Sequence, residues 1–155
     1  MQDSLQIVVD RVKNRFGDAV LSVVEFRDEI TVRVKKEDWL ELHRFLRDDS
    51  DTNFAMMIDE TAADYPLRLE RFDVITHLLS LDKRHRLRVK TAIGENDPIP
   101  SLVPLWKTAN WLERETYDLF GIIFTGHPDL RRILMPENWE GYPLRKDYPV
   151  EGYDI

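Results

Sequence analysis

The stretch from Val20 to Lys35 constrains the fold more than any other. Val20, Ser22, Val24 and Phe26 alternate with Leu21, Val23 and Glu25. After Arg27, Asp28 and Glu29, a second series, Ile30, Val32 and Val34, alternates with Thr31, Arg33 and Lys35. Only a strand sends successive side chains to opposite sides, so a period of two means strand. Two such runs separated by a short polar turn predict a β-hairpin. A hairpin with one apolar face then needs something to cover that face.

The cover comes from segments of a different period. Leu5, Val8, Val9, Val12 and Phe16 recur at helical spacing before Gly17, which predicts an amphipathic helix over 4–16. Trp39, Leu42, His43 and Leu46 return to helical spacing, with Glu37 and Asp38 favourable in the first turn. Leu105, Ala109, Leu112, Thr116 and Leu119 predict a third helix over 102–120, ended by Gly121. Between them, 48–53 reads as a polar loop, 54–58 as a short strand and 59–66 as loop. Two longer strands, 72–79 and 86–93, are joined near Asp82 and Lys83. In the second, Leu87, Val89, Thr91 and Ile93 share one face, and Arg86, Arg88 and Lys90 the other. Residues 94–100 read as loop. From Met135 on, Pro136, Gly141, Pro143, Pro149 and Gly152 forbid a sustained helix or central strand. The expected fold is α+β: a mixed or antiparallel sheet covered by amphipathic helices, with one domain over 1–134 and an extended tail over 135–155.

Composition narrows the function. A length of 155 residues suits one domain with its own core. A net charge of -7 argues against general nucleic-acid binding, which needs clustered Lys and Arg. The chain has no cysteine, which removes disulfides, thiolate-held iron–sulfur clusters and a thiol nucleophile. Met1 to Asp10 carries Asp3 and Asp10 where a secretory signal would be basic and then unbroken apolar. No stretch approaches the ~20 apolar residues of a membrane span.

Several motifs weaken on inspection. Asp49, Asp51, Asn53 and Glu60 fall at calcium-loop positions, but Phe54 stands where a glycine must make the sharp turn. His43, His77, His85 and His127 form no metal-binding pair at helical spacing, and His43 on an apolar helix face reads as a packed histidine. No P-loop, dinucleotide fingerprint or nucleophile elbow occurs. Arg86, Arg88 and Lys90 lack the interleaved aromatics of a base-stacking platform. A general acid–base role for His127 with Asp118 or Asp129 lacks a nucleophile in a recognisable context. Arg114 and Asp118, four apart, are placed to pair along the helix surface. The segment from Trp106 to Pro149 mixes aromatics, arginines and carboxylates, the composition of an interface anchor.

That segment resembles the family of small, cofactor-free C-type subunits of NADH-quinone oxidoreductases, the respiratory complex I. The family signature runs Glu-Arg-Glu, two residues, an acidic residue and two apolar ones. After six more come His, three residues, a basic residue, one more, and two aliphatics. Here these are Glu113-Arg114-Glu115, Asp118, Leu119-Phe120, His127, Arg131 and Ile133-Leu134. The continuation Met135-Pro136-Glu137 and Tyr142-Pro143-Leu144-Arg145-Lys146-Asp147-Tyr148 also matches the family's ending. The specific match covers roughly the last third of the chain.

The resemblance implies a structural subunit of the hydrophilic arm of a proton-translocating enzyme, peripheral on the cytoplasmic side of the cell inner membrane. It implies no catalytic, cofactor-binding or metal-ligating residue in this chain. FMN, iron–sulfur clusters and quinone would belong to partner subunits. The partners would be the large D-type subunit, near the quinone-reducing module, with the tail as clamp, and other subunits of the hydrophilic arm. Glu113, Arg114, Glu115, Asp118, His127, Arg131, Arg145, Lys146 and Asp147 are then the expected signature and interface residues. The ending at Ile155, where many relatives run on or are fused to the D-type subunit, implies a stand-alone short form. The same building block in a membrane-bound hydrogenase or a deazaflavin-dependent dehydrogenase is the alternative. A nucleic-acid module through Arg86, Arg88, Arg131 and Arg132 is disfavoured by the charge.

Overall fold

The structure, a computed structural model, describes residues 3–153. The first two residues and the last two of the expected tail lie outside them. Helix α1 spans Asp3–Phe16, followed by a single 3-10 turn at Gly17–Ala19. Strands β1 (Val20–Phe26) and β2 (Glu29–Val34) form the predicted hairpin. Its two-residue turn holds Arg27 and Asp28 at φ 50° and 64°. Positive φ at both central positions matches the twist of the flanking strands, and the chain adopts it without glycine.

Helix α2 covers Trp39–Asp48. Strands β3 (Met56–Asp64), β4 (Phe72–Ser80) and β5 (His85–Ile93) follow as an antiparallel meander. Strand β5 then pairs in parallel with β2, giving a five-stranded mixed sheet in the order β1-β2-β5-β4-β3. The fold is the expected α+β class. Register aligns Val32, Val89, Thr76 and Glu60 across four strands. That row lies on the face under the helices, in one core with Val8 and Val12 of α1 and Trp39, Leu42 and Leu46 of α2. Each fully buried Leu, Val or Phe here stabilises by about 1.5–3 kcal/mol. His43 sits in this core. Its Nδ1 lies 2.7 Å from the Trp39 carbonyl and its Nε2 2.8 Å from Thr76 Oγ1. Burial pushes the imidazole down to about 4, so the ring is neutral at pH 7: Nδ1–H donates and Nε2 accepts. The packed histidine expected from the sequence is found.

The structure departs from the sequence reading in three places. Strand β3 continues to Asp64, where the sequence indicated loop from Asp59. A β-bulge between Met57 and Asp59 shifts the alternation by one. The side chains it then turns inward are Glu60, Ala62 and Asp64, and two of these three are carboxyls. Helix α3 starts at Ala109 and runs to Phe120, not from 102. Residue 103 precedes Pro104 and is biased away from the helical region. Instead, the N–H groups of Leu105 and Trp106 both fold back on the Leu102 carbonyl. Finally, Ile99–Pro100 (β6) pairs in parallel with Phe124–Thr125 (β7). Two residues are too few to show a period.

The opposite sheet face is polar and internally paired. Arg33 makes a bidentate ion pair with Asp73 at 3.0 and 2.7 Å, and Arg68 reaches the same carboxylate at 2.6 Å. Arg88 donates to His77, Thr31 and Glu29. The calcium-like residues disperse: Asp49 pairs with Arg11, Asn53 donates to Asp82, and Glu60 lies in the core. Among the described residues no cluster of three or more His, Cys, Asp or Glu could hold a metal. No helix there is long and apolar enough to cross a membrane.

Candidate interface built by the signature segment

Helix α3 packs its inner side on β3, burying Glu113, Thr116, Asp118 and Phe120. It ends at Gly121 with φ 77°, whose N–H bonds the Tyr117 carbonyl at 2.8 Å. A Cβ at Gly121 would approach the Tyr142 ring and the Arg145 guanidinium to 2.7 Å. Glycine is therefore required twice, for the left-handed cap and for the tail crossing over it. Gly121→Ala should cost about 1–3 kcal/mol, seen as a lower urea midpoint with the same m-value.

Asp118 organises the chain beyond the helix. One carboxylate oxygen accepts from Arg132 at 2.7 Å. The other accepts three consecutive backbone N–H groups, those of Ile133 (3.1 Å), Leu134 (2.7 Å) and Met135 (2.8 Å). Successive N–H groups converging on one anion form a nest. Burial alone would raise this carboxyl. The Met135 N–H, the Arg132 guanidinium and the other two N–H groups outweigh it and hold Asp118 below the usual carboxylate range. The expected Arg114–Asp118 pair is replaced by this arrangement. Arg114 instead donates to the carbonyls of Arg131 and Arg132 and stacks near Trp111.

Arg132 is the hub that the signature does not name. It also donates to the carbonyls of Asp118 (2.9 Å), Trp139 (3.0 Å) and Gly141 (2.9 Å) and lies over the Tyr142 ring. Its side chain is 12% exposed, whereas that of the signature residue Arg131 is 60% exposed and pairs with the exposed Asp129. Adjacent arginines look alike in sequence; the turn of the chain decides which points inward. Arg131→Ala should shift stability by less than about 0.5 kcal/mol, while Arg132→Ala should cost several times more in the same urea titration.

A second clasp holds the end of the tail. Arg71 makes a fork to Asp64 at 2.7 and 2.9 Å, and also reaches Asp147 at 2.8 Å and Glu95 at 3.2 Å. Asp64 further accepts the Lys146 N–H at 2.7 Å. Burial would raise Asp64; Arg71 and that N–H hold it low. Arg145 donates to the Phe120 carbonyl at 2.7 Å and to Glu95 at 2.9 Å, and lies over Phe72 and Tyr142. Nothing in the sequence singles out Asp64, Arg71 and Glu95. They come from strand ends far from the signature, and no spacing links them to it.

The remaining signature residues divide. Glu113 is buried, accepting from Ser101 Oγ and the Leu102 N–H, both at 2.6 Å. Glu115 is exposed. His127 lies beside Glu113, its Nε2 donating to the Asn110 carbonyl at 2.9 Å and its Nδ1 accepting the Asp129 N–H at 3.0 Å. The imidazole thus meets a backbone amide rather than the carboxylate of Asp129 or Asp118. The arginines offered for nucleic acid, Arg86, Arg88, Arg131 and Arg132, share no surface, since Arg132 is enclosed by the tail.

The result is a platform. The segment 131–148 is pinned over α3 and the edge of β3, and Trp111 of α3 (63% exposed) and Leu134 and Leu144 of the segment are left exposed. Known proteins share this architecture. The sequence profile of the respiratory-chain NADH dehydrogenase 30 kDa subunit matches residues 32–154. The chain is 46% identical over 153 residues to a C-type subunit of the NADH-quinone oxidoreductase of Rhizobium meliloti (strain 1021), covering 99% of this chain and 76% of that one. It is 50% identical over 147 residues to the corresponding C-type subunit of Citrifermentans bemidjiense, covering 94% and 90%. A solved trypsin-resistant fragment (1-134) of Nqo5 superposes with TM-score 0.71 at 30% identity, covering 82% of this chain and 99% of that one. By profile, sequence and fold together, the chain belongs to the family of the 30 kDa subunit of respiratory-chain NADH dehydrogenase.

Proposed function

We propose that this chain is a structural, non-catalytic subunit of the hydrophilic arm of a proton-translocating NADH-quinone oxidoreductase. It packs against the large D-type subunit near the quinone-reducing module, peripheral on the cytoplasmic side of the inner membrane. FMN, iron–sulfur clusters and quinone sit in partner subunits. The observation that carries this reading is the pinned tail. Asp118 accepts from Arg132 and from backbone N–H groups, Arg132 and Arg145 donate to backbone carbonyls, and Arg71 pairs with the carboxylates of Asp64, Glu95 and Asp147. Groups so saturated hold a shape and leave no free base or nucleophile. Outward stand exposed apolar side chains, Trp111 with Arg114 over its ring, and Leu134; Trp and Arg are residue types that anchor interfaces. An obligate contact of this kind buries on the order of 2,000 Å² or more.

The test is mild-detergent affinity purification of the tagged chain from its native membranes, with an assay of NADH-to-quinone electron transfer. Recovery of a flavin- and iron–sulfur-containing complex with that activity supports the proposal. Trp111→Ala and Leu134→Ala together should lower the yield of complex while leaving the isolated chain folded. Recovery of a hydrogenase would keep the architecture and change the donor. A lone chain without partners would overturn the subunit reading.

A further inference from the structure

Two carboxyl groups meet in the core of the domain. Glu60 comes from β3 and Glu113 from α3, and both are buried. Glu113 has donors, Ser101 Oγ and the Leu102 N–H at 2.6 Å each. Glu60 has none: both its carboxyl oxygens are buried, and among the described residues no donor reaches either. Their polar neighbour is the Glu113 carboxyl. Two ionised carboxylates cannot share such a place, and a bare buried charge is far costlier than a neutral acid. A carboxyl proton solves both problems, because it turns one acceptor into a donor.

We propose that Glu60 and Glu113 form a buried one-proton site, in which protonated Glu60 donates to ionised Glu113 and the bound proton holds α3 against β3. The assignment of the proton follows from the donors. Glu113 already receives two hydrogen bonds that favour its charged form, and Glu60 receives none. The other titratable groups nearby do not supply the proton. His127 Nε2 is 4.0 Å from Glu113, but that N–H is directed at Asn110 O and the other ring nitrogen accepts from Asp129 N. His43 of α2, bonded to Thr76 opposite Glu60 in the sheet, is neutral. Asp59, the neighbouring strand residue, only adds negative charge. Burial first, then Glu113 and Asp59, raise Glu60 well above the carboxylate range; burial also raises Glu113, but the hydrogen bonds from Ser101 and the Leu102 N–H work against that rise. This site belongs to the chain itself and does not depend on its proposed place in an assembly.

The sign of the pH effect is fixed. In the unfolded chain both groups ionise near about 4.3. The folded state keeps a proton above that value, so stability falls as pH rises, until the folded pair loses its proton. One extra proton in the folded state raises the unfolding constant about tenfold per pH unit. Glu60→Gln replaces the acid by an amide that donates to Glu113 at every pH. Urea unfolding of the full chain between about pH 5 and 7 should show a slope one proton smaller for Glu60→Gln than for the native chain, with the variant the more stable at pH 7. Equal slopes would overturn the proposal. A second readout uses the native chain alone, in case the variant does not fold. Infrared spectra at neutral pD should show the C=O stretch of a protonated carboxylic acid, and its absence would also overturn it.

Discussion

Replacing Asp118 with alanine is expected to free the tail from Ile133 to Trp139. The substitution leaves an arginine and three backbone N–H groups facing a cavity where a carboxylate stood. Breaking a buried, hydrogen-bonded charge pair from one side costs about 3–5 kcal/mol, since the orphaned donors keep their desolvation penalty. The urea midpoint should fall accordingly, and trypsin should cut after Arg131 and Arg132 under conditions that leave the native chain intact. A variant with an unchanged midpoint and an unchanged digest would remove Asp118 from this role. The pH dependence gives an independent check. The folded pKa of Asp118 is lowered, so its contribution is present above the unfolded value of about 3.9 and is lost as pH falls through the folded one. The gap between native and Asp118→Asn stability should therefore close in acid. This slope is opposite in sign to that of the Glu60–Glu113 pair.

Arg71→Ala is the second large effect. It strips the fork from Asp64, whose side chain is fully buried, and the contacts to Asp147 and Glu95 go with it. Among the described residues, Asp64 would keep the Lys146 N–H as its hydrogen-bond donor. A loss of about 3–5 kcal/mol is expected again, measured by the same titration. Arg71→Lys should recover little of it, because a lysine carries one point charge and no planar fork. Full recovery by lysine would show that charge alone suffices there. Since Arg71 precedes β4 and Asp147 lies in the tail, the variant should also lower the yield of assembled complex.

How much of this is legible in the sequence depends on what each segment buries. Strands β2, β4 and β5 and the inner stripes of α1 and α2 are readable, because their inward positions are mostly apolar and their period survives; β1 is readable from its residue types and its turn, although it buries no position fully. Strand β3 reads short because two of its three inward positions past the bulge are Glu60 and Asp64, with only the small Ala62 between them. Burying an acid defeats a hydropathy pattern. The signature segment is recognisable by its residue types and gaps, and Asp118, Arg145 and Asp147 all make contacts that hold the tail. Yet Arg132, Arg71 and Asp64 do as much and carry no local mark. Their importance arises from which backbone groups the tail brings to them, and the chain's path alone settles that.

The single parallel pairing in the large sheet, β2 against β5, also bears on how the chain reaches this fold. Each half of the sheet is built from neighbours in sequence: a tight hairpin on one side, a three-strand meander on the other. The seam between them joins residues 57 positions apart, as in the Thr91 hydroxyl bonded to the Val34 carbonyl. Closing so long a loop costs chain entropy before any contact offsets it. The two halves should form early and independently, and their docking should limit the folding rate. Substitutions that weaken the seam, such as Thr91→Val, should then slow refolding more than changes at the Arg27–Asp28 turn, and amide exchange in β2 should report the opening of that seam.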